Sequence, residues 1–195
     1  MKILNRFLVV GITLSAATRL TAVSLIANGG FETGSFSSWT TTSAASGSQF
    51  GVSTTGPHTG TFAAYFSATG SDLDRIDQTF ATTAGTLYDL TFWLANDNGG
   101  GSPDNGFVVN FGGISFAFGG AADFAYQQFT FSSLATGSSI TLDIAGRNAS
   151  GALLLDDVSV TSRASVPDEG STFGLLFLSL AAFFGAARFR SLPVT

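Results

Sequence analysis

The middle of this 195-residue sequence predicts an all-β fold, a two-sheet sandwich of the jelly-roll kind. Short runs rich in Val, Ile, Phe, Tyr and Thr recur between clusters of Gly, Ser, Asn and Asp, which is typical of short strands joined by turns. No helical period appears between residues 25 and 163. About eleven such segments suit two packed sheets better than one.

The predicted strands follow one another along the whole middle of the chain. They are residues 24–27, 39–42, 50–54, 61–67, 74–81, 87–96, 107–111, 114–118, 124–132, 139–147 and 152–162. In the sixth strand Leu90 and Phe92 share an apolar face and Trp93 lies on the other, because successive side chains of a strand alternate. Gly112 and Gly113 predict a tight hairpin, since paired glycines adopt the positive φ that two-residue turns need.

The first 24 residues have the pattern of a signal peptide. Lys2 and Arg6 precede an apolar run over residues 7–17, and residues 22–24 supply the small side chains that signal peptidase recognises. The mature chain is therefore expected to begin near Leu25. An ordinary N-terminal core helix is the alternative interpretation.

Residues 164–195 form a tail with one long apolar stretch. Residues 173–187 contain no acidic or basic side chain, and two arginines follow. At about 1.5 Å per residue this run falls short of the roughly 30 Å hydrocarbon core, but residues 171–187 make a marginal transmembrane helix. A buried core helix is the alternative, although Phe and Leu on all sides favour lipid. The polar middle is then exported, and the arginines stay inside.

Charge and composition exclude several classes of function. Residues 25–163, the predicted single domain, carry eleven acidic and three basic side chains, a net charge of −8. Nucleic acid is therefore not an expected ligand, because phosphate binding depends on Lys and Arg. The chain has no cysteine, so neither disulfides nor thiol chemistry is available to it. About 140 residues suffice for one hydrophobic core.

A short motif with a proline, an acid and a glycine precedes the apolar stretch of the tail. With the arginines behind it, this arrangement resembles the PEP-CTERM class of bacterial sorting signals, in its VPDSG-type variant. The matching residues are Val166, Pro167, Asp168, Gly170, Ser171, Thr172, Arg188 and Arg190. Glu169 departs from the small residue usual in the family, and Phe189 separates the arginines.

The resemblance implies a route for the protein. An exosortase-like membrane enzyme is expected to recognise the tail and cleave near the motif. The protein would pass from the inner membrane, where its C-terminal helix holds it, to the cell surface or extracellular matrix.

Four motifs of the middle occur in a fixed order, at residues 28–34, 56–60, 88–93 and 155–160. They resemble the galactose-binding-like jelly rolls of carbohydrate-binding modules. In such folds the first and last strands meet and often hold a structural calcium. The resemblance implies Glu32 and Asp157 as calcium ligands, with carbonyl groups of the 56–60 loop; carboxylates suit this cation. The alternative is that both acids sit at hydrogen-bonded strand ends without an ion.

The same resemblance makes an extracellular polysaccharide a candidate ligand. Modules of this kind stack sugar rings on aromatic side chains and bind hydroxyl groups with polar ones. Trp93 is the first candidate, because it lies on the face opposite Phe92. Its possible companions are Tyr65, Tyr126, Gln128 and Arg147. The alternative is that these aromatics fill the core, as Trp39 is expected to do in a chain with 20 phenylalanines.

No enzymatic activity is predicted. His58 is the only histidine and is interpreted as a turn residue, because no nucleophile is marked for it. Asp72, Asp74 and Asp77 suggest a solvated strand edge, and residues 96–106 a flexible loop rather than a calcium site. Two non-catalytic functions stay open: a structural or adhesive surface protein, and a carbohydrate-binding module.

Overall fold

The computed structural model describes residues 23–99, 101 and 104–163. Residues 1–22 of the predicted signal peptide and the whole sorting tail, with its predicted helix at 171–187, lie outside the described residues. The predictions for those two segments therefore rest on sequence.

The described residues form ten strands and no helix. The strands are β1 (Thr40–Thr42), β2 (Phe50–Ser53), β3 (Ala63–Phe66), β4 (Asp74–Ala81), β5 (Leu87–Asp97), β6 (Asn105–Phe111), β7 (Ile114–Gly119), β8 (Phe124–Leu134), β9 (Ser139–Asn148) and β10 (Ala152–Ser162). Within this part of the chain there is accordingly no helix of the length and apolarity needed to cross a membrane.

Two five-stranded antiparallel sheets make the sandwich. Sheet A has the order β1-β4-β9-β6-β7, and sheet B has the order β2-β3-β10-β5-β8. The predicted all-β sandwich is confirmed, with ten of the eleven predicted segments present as strands. The predicted hairpin is also confirmed: Phe111 pairs with Ile114, and Gly112 and Gly113 have φ of +53° and +87°.

The core lies between the sheets and is made of the inward side chains of both. Leu90, Phe92 and Leu94 of β5 are fully buried, as their alternation predicts. Trp39 is 7% exposed and stacks on Phe31, so its expected place in the core is confirmed. This packing fixes which side chains of sheet B point outward.

The predicted strand at residues 24–27 is not a strand. This segment runs beside β10, with the Leu25 N–H donating to the Val160 carbonyl at 2.7 Å. The backbone groups of Ala27 bind the side-chain amide of Gln78 instead of a neighbouring strand, at 2.8 and 3.1 Å. Because a side chain satisfies these groups, no ladder forms, although the two ends of the domain do meet.

A buried amide network occupies one end of the sandwich, which we call the asparagine end. Asn96, Asn98, Asn105 and Asn148 are each about 2% exposed or less. Asn148 Nδ2 donates to the Oδ1 atoms of Asn96 and Asn98, at 3.0 and 3.1 Å, and Asn105 Nδ2 donates to Asn98 at 3.0 Å. The connection predicted over residues 96–106 is shorter than expected, because β5 reaches Asp97 and β6 begins at Asn105, and amide pairing lets its asparagines be buried.

Candidate functional site

The candidate site lies on the outer face of sheet B, where residues 56–60 cross strands β10, β5 and β8. We call this segment the 56–60 loop. The Tyr126 hydroxyl of β8 donates to the Gly56 carbonyl at 2.8 Å, which ties one end of the loop to the sheet. Burial raises the pKa of Tyr126, and the charges of Asp156 and Asp157 add to it, so the hydroxyl stays a donor.

A β-bulge in β10 presents two acids to this loop. The pairing of β10 with β5 shifts between Asp156 and Ser159, and Asp157 has a φ of +51°. Without the bulge, two consecutive residues would point to opposite faces of the sheet. With it, both carboxylates reach the 56–60 loop.

Asp156 holds the backbone of the loop. Its carboxylate is fully buried and accepts the N–H groups of His58 at 2.9 Å, Thr59 at 3.1 Å and Asp157 at 2.7 Å. Burial raises the pKa of Asp156, and the nearby charge of Asp157 raises it further, while the N–H donors oppose that shift. The net direction is upward, so part of the cost of burying this charge remains.

Asp157 holds the side chains of the same loop. One carboxylate oxygen contacts His58 Nδ1 at 2.6 Å, and the other accepts the Thr59 hydroxyl at 2.7 Å. Glu32 holds the far end of the loop, where its carboxylate accepts the N–H groups of Thr61 and Phe62 at about 3 Å.

The two predicted calcium ligands are brought together at Gly30. A Cβ atom there would lie 3.7 Å from Asp157 Oδ1 and 3.8 Å from Glu32 Cγ, with Asp156 Oδ1 at 3.9 Å. Oxygens of Asp156 and Asp157 thus lie near the stem of Glu32, and carboxylate oxygens are the ligands that a hard cation prefers. Their oxygens also accept N–H and O–H groups, and the described residues contain no group of three or more metal-binding side chains placed to hold an ion. The calcium site therefore stays a prediction.

Trp93 lies on the outer face, as predicted, but under the 56–60 loop. Its ring is half-buried and stacks on the His58 imidazole, with ring centroids 3.9 Å apart and planes 18° apart. Tyr126 flanks the same imidazole at 5.1 Å. One face of the Trp93 ring is therefore covered by the protein itself.

A groove opens beside this aromatic cluster, toward strands β2 and β3. It encloses about 310 Å³ and is lined by Gln49, Ser53, Thr55, Tyr65, Ala152 and Leu154. Tyr65 is half-buried and lies across Gly51, where a Cβ atom would be 3.0 Å from the ring. Glycine at this position lets the tyrosine ring lie over the neighbouring strand.

Gln128 and Arg147, the other two predicted companions of Trp93, lie on different sheets. Gln128 pairs directly with Trp93 across β5 and β8, and its side chain is exposed on the same face. Arg147 belongs to β9 in sheet A, where it pairs with Asp104 at 2.7 Å and donates to the Gly70 carbonyl. The grouping of Arg147 with Trp93 is therefore not what the structure has, because the two residues lie on different sheets.

Two residues of the site were missed by the sequence analysis. His58 was interpreted only as a turn residue, and Asp156 was passed over in favour of its neighbour. The sequence signal was the pair of adjacent acids in the last strand, since a buried charge needs donors from elsewhere in the chain.

Asp74 also differs from its predicted place on a solvated strand edge. It is fully buried and accepts the N–H groups of Ala44 and Gln49 and the Ser48 hydroxyl. Its strand, β4, lies between β1 and β9, so the predicted edge position was wrong.

Solved structures with this fold include carbohydrate-binding modules. TmCBM61, solved with β-1,4-galactotriose, aligns with a TM-score of 0.57 and 19% identity over 73% of this chain and 100% of that chain. The CBM22-1 xylan-binding domain of Paenibacillus barcinonensis Xyn10C aligns with a TM-score of 0.51 and 16% identity, over 76% of this chain and 100% of that one. At these identities the likeness shows the fold, which confirms the predicted jelly roll.

An enzyme domain shares the fold as well. The enzymatically active domain of tailspike protein 4 of bacteriophage CBA120 aligns with a TM-score of 0.56 and 12% identity, over 72% of this chain and 21% of that chain. The comparison with curated proteins found no match.

The tail has a match of its own. Residues 165–188 match the family model described as the VPDSG-CTERM motif. The chain carries a VPDSG-CTERM sorting motif. This match confirms the resemblance seen in the sequence, and the VPDSG-CTERM motif indicates an exported protein directed to the cell envelope.

Asp156→Ala should unfold the domain more easily, because three backbone N–H groups lose their acceptor. We expect the free energy of unfolding to fall by about 3 kcal/mol. Chemical denaturation followed by fluorescence measures it, and Asp72→Ala, which removes an exposed carboxylate, serves as the matched control. Equal stability of the two variants would contradict the role given to Asp156.

Proposed function

We propose that the protein is an exported, surface-sorted protein whose jelly roll binds an extracellular polysaccharide without catalysis. The observation that carries this proposal is the groove of about 310 Å³ beside Tyr65. It joins one aromatic ring with amide and hydroxyl side chains on an outer sheet face. That combination suits a sugar, whose ring has an apolar face and a rim of hydroxyl groups.

The roles of the lining residues follow from their chemistry. Tyr65 offers the ring on which a sugar stacks, and Leu154 extends the apolar floor. Gln49, Ser53 and Thr55 offer donors and acceptors for hydroxyl groups. Trp93 does not line the groove, and His58 occupies one of its faces.

We also propose that the protein has no catalytic activity. Asp156 and Asp157 use their oxygens to hold the 56–60 loop, and His58 is stacked and paired. Residues held in this way support a structural role. Release of soluble sugars from the bound polysaccharide would overturn this part of the proposal.

Tyr65→Ala should weaken polysaccharide binding about tenfold, which corresponds to loss of one stacking contact. Tyr65→Phe should retain binding, because the ring face remains. Affinity electrophoresis against a panel of neutral and acidic polysaccharides measures both. Leu134→Ala is the matched control, because it alters a second cavity of about 310 Å³ that carries no aromatic side chain. If Tyr65→Ala binds polysaccharide as tightly as the wild type, the groove is not the binding site.

Trp93→Ala tests whether the polysaccharide binds at Trp93, the candidate from the sequence, or in the groove beside Tyr65. Because Trp93 stacks on His58, its loss should lower stability while the folded fraction still binds polysaccharide. Loss of binding at unchanged stability would return Trp93 to its predicted place as the sugar platform.

A structural or adhesive role is the second candidate, and one feature favours it. β8 is an edge strand of 11 residues without charge or proline, whereas the edge strands β1, β2 and β7 have three, four and six residues. Long uncharged edges favour pairing between chains. Self-association without polysaccharide binding would favour this role.

A structural calcium at Glu32 and Asp157 is part of the proposal. In detergent, calcium should raise the melting temperature of the full chain by several degrees over that in chelator, because a ligand of the folded state stabilises it. Glu32→Gln should remove that difference, and Asp72→Asn should keep it. An unchanged melting temperature in the wild type would remove the site.

Sorting is the remaining part. Signal peptidase is expected to remove residues 1–24, and an exosortase-like enzyme to cut near Pro167 and release the protein from the inner membrane. Intact mass and fractionation should show a form ending near Pro167 outside the cell. Without the sorting enzyme, or with Pro167→Ala and Asp168→Ala together, the full-length form should accumulate in the membrane. Unchanged processing in those cells would overturn this route.

A further inference from the structure

The two ends of the sandwich differ sharply in charge. One end is the asparagine end, whose loops and strand ends carry four aspartates. These are Asp72, Asp97, Asp104 and Asp123, of which Asp104 pairs with Arg147 at the end of β9. The opposite end, which we call the tail end, consists of the connections 82–86, 112–113 and 135–138. The eleven residues of these connections include no charged side chain, and the ion pair of Arg163 with Asp89 lies beside them.

Exposed apolar side chains gather at the tail end. The exposed large hydrophobic residues of the described chain are Val23, Leu25, Ile114 and Leu134, with exposures of 85, 40, 40 and 53%. Ile114 begins β7 and Leu134 ends β8, both at the tail end. Leu25 lies beside the last residues of β10, which finish there as well. Exposed apolar side chains at one end of a domain with net charge −8 make that end a candidate interaction surface.

The chain leaves the sandwich at this same end. The Arg163 N–H donates to the Leu87 carbonyl at 2.8 Å, and its guanidinium binds Asp89 and the Ser132 hydroxyl. Burial opposes ionisation of Asp89, but the bonds from Ser132 and Arg163 hold the pKa of its carboxyl below the ordinary value. Arg163, where the chain leaves the sandwich, is thus bound to the first residues of β5 and to the last residues of β8.

Only seven residues, 164–170, separate this exit from the segment 171–187. Seven residues span at most about 25 Å when fully extended. If segment 171–187 is inserted in a bilayer, the tail end of the sandwich must stay within that distance of the membrane surface. The asparagine end is then the part of the domain directed outward.

We propose that the tail end is a membrane-contact surface, which rests on the lipid surface while the sorting tail is inserted. This inference rests on the membrane insertion included in the proposed function. Ile114 and Leu134 enter the interfacial layer, and the uncharged loops beside them meet the head groups without like-charge repulsion. Two apolar side chains alone would bind a membrane only weakly. The short tether, however, holds them at a high effective concentration near the lipid.

The contact orients the polysaccharide groove. Ala152 begins β10 at the asparagine end, and the groove extends from there across β10 and β3. With the tail end on the membrane, the groove lies on the part of the domain farther from the lipid. An uncut protein can then engage polysaccharide outside the membrane before it is released.

The test uses site-specific probes on the full chain, which has no cysteine of its own. Thr136→Cys places a fluorophore at the tail end, Ala122→Cys at the asparagine end, and Ser179→Cys in the apolar segment. Each variant is reconstituted in phosphatidylcholine vesicles, with the nitroxide on the lipid head group for Thr136→Cys and Ala122→Cys and deep on the acyl chain for Ser179→Cys, whose position is the middle of the proposed span. We expect quenching several-fold stronger at Thr136→Cys than at Ala122→Cys, with Ser179→Cys also quenched.

The outcomes distinguish the membrane-contact surface from the inserted tail on which it depends. Quenching of Ser179→Cys with equally weak quenching at the other two sites would overturn the contact surface and leave the inserted tail standing. No quenching of Ser179→Cys would overturn both. Ile114→Ser with Leu134→Ser should reduce quenching at Thr136→Cys to the level of Ala122→Cys; unchanged quenching would overturn the role of these side chains. Chemical denaturation followed by fluorescence reports independently whether each variant is folded.

Discussion

The outer face of sheet B depends on one buried carboxylate. Asp156 accepts three backbone N–H groups, two of them from a loop almost a hundred residues earlier in the chain. A carboxylate can satisfy this many donors because it has only acceptor sites. The bulge after Asp156 then turns Asp157 toward the same loop. Together they fix His58 over Trp93 and the loop beside the groove.

This arrangement joins two sites that the sequence suggested separately. The proposed cation site at Glu32 and Asp157 and the aromatic cluster at Trp93 share the 56–60 loop, with His58 touching both. Anything that moves the loop must therefore alter the acid cluster and the aromatic floor together. The sorting motif in the tail indicates a destination in the cell envelope, and the 56–60 loop shapes the outer face of sheet B.

Period-two alternation and turn residues were enough to predict the sandwich, because each strand with a buried face must repeat apolar residues every second position. The outward placing of Trp93 followed from the same rule. The stack of His58 on Trp93 did not, since it depends on a bulge that adds one residue to β10. Nor did the sequence separate Arg147 from Trp93, because alternation gives a residue's face but not which sheet its strand joins. The prediction of a strand at residues 24–27 failed because the Gln78 side-chain amide, and not a neighbouring strand, binds the backbone of Ala27.

The asparagine end has a consequence for the conditions in which the protein works. Amides do not titrate, so the Asn96, Asn98, Asn105 and Asn148 network keeps its bonds when acidity or ionic strength changes. The clamp on the 56–60 loop depends instead on a carboxylate, because burial and the charge of Asp157 raise the pKa of Asp156. A pKa raised by folding means that the folded domain binds the proton more tightly than the unfolded chain does, so the contribution of Asp156 to stability falls as the pH rises and not as it drops, while the asparagine end is unaffected by either change.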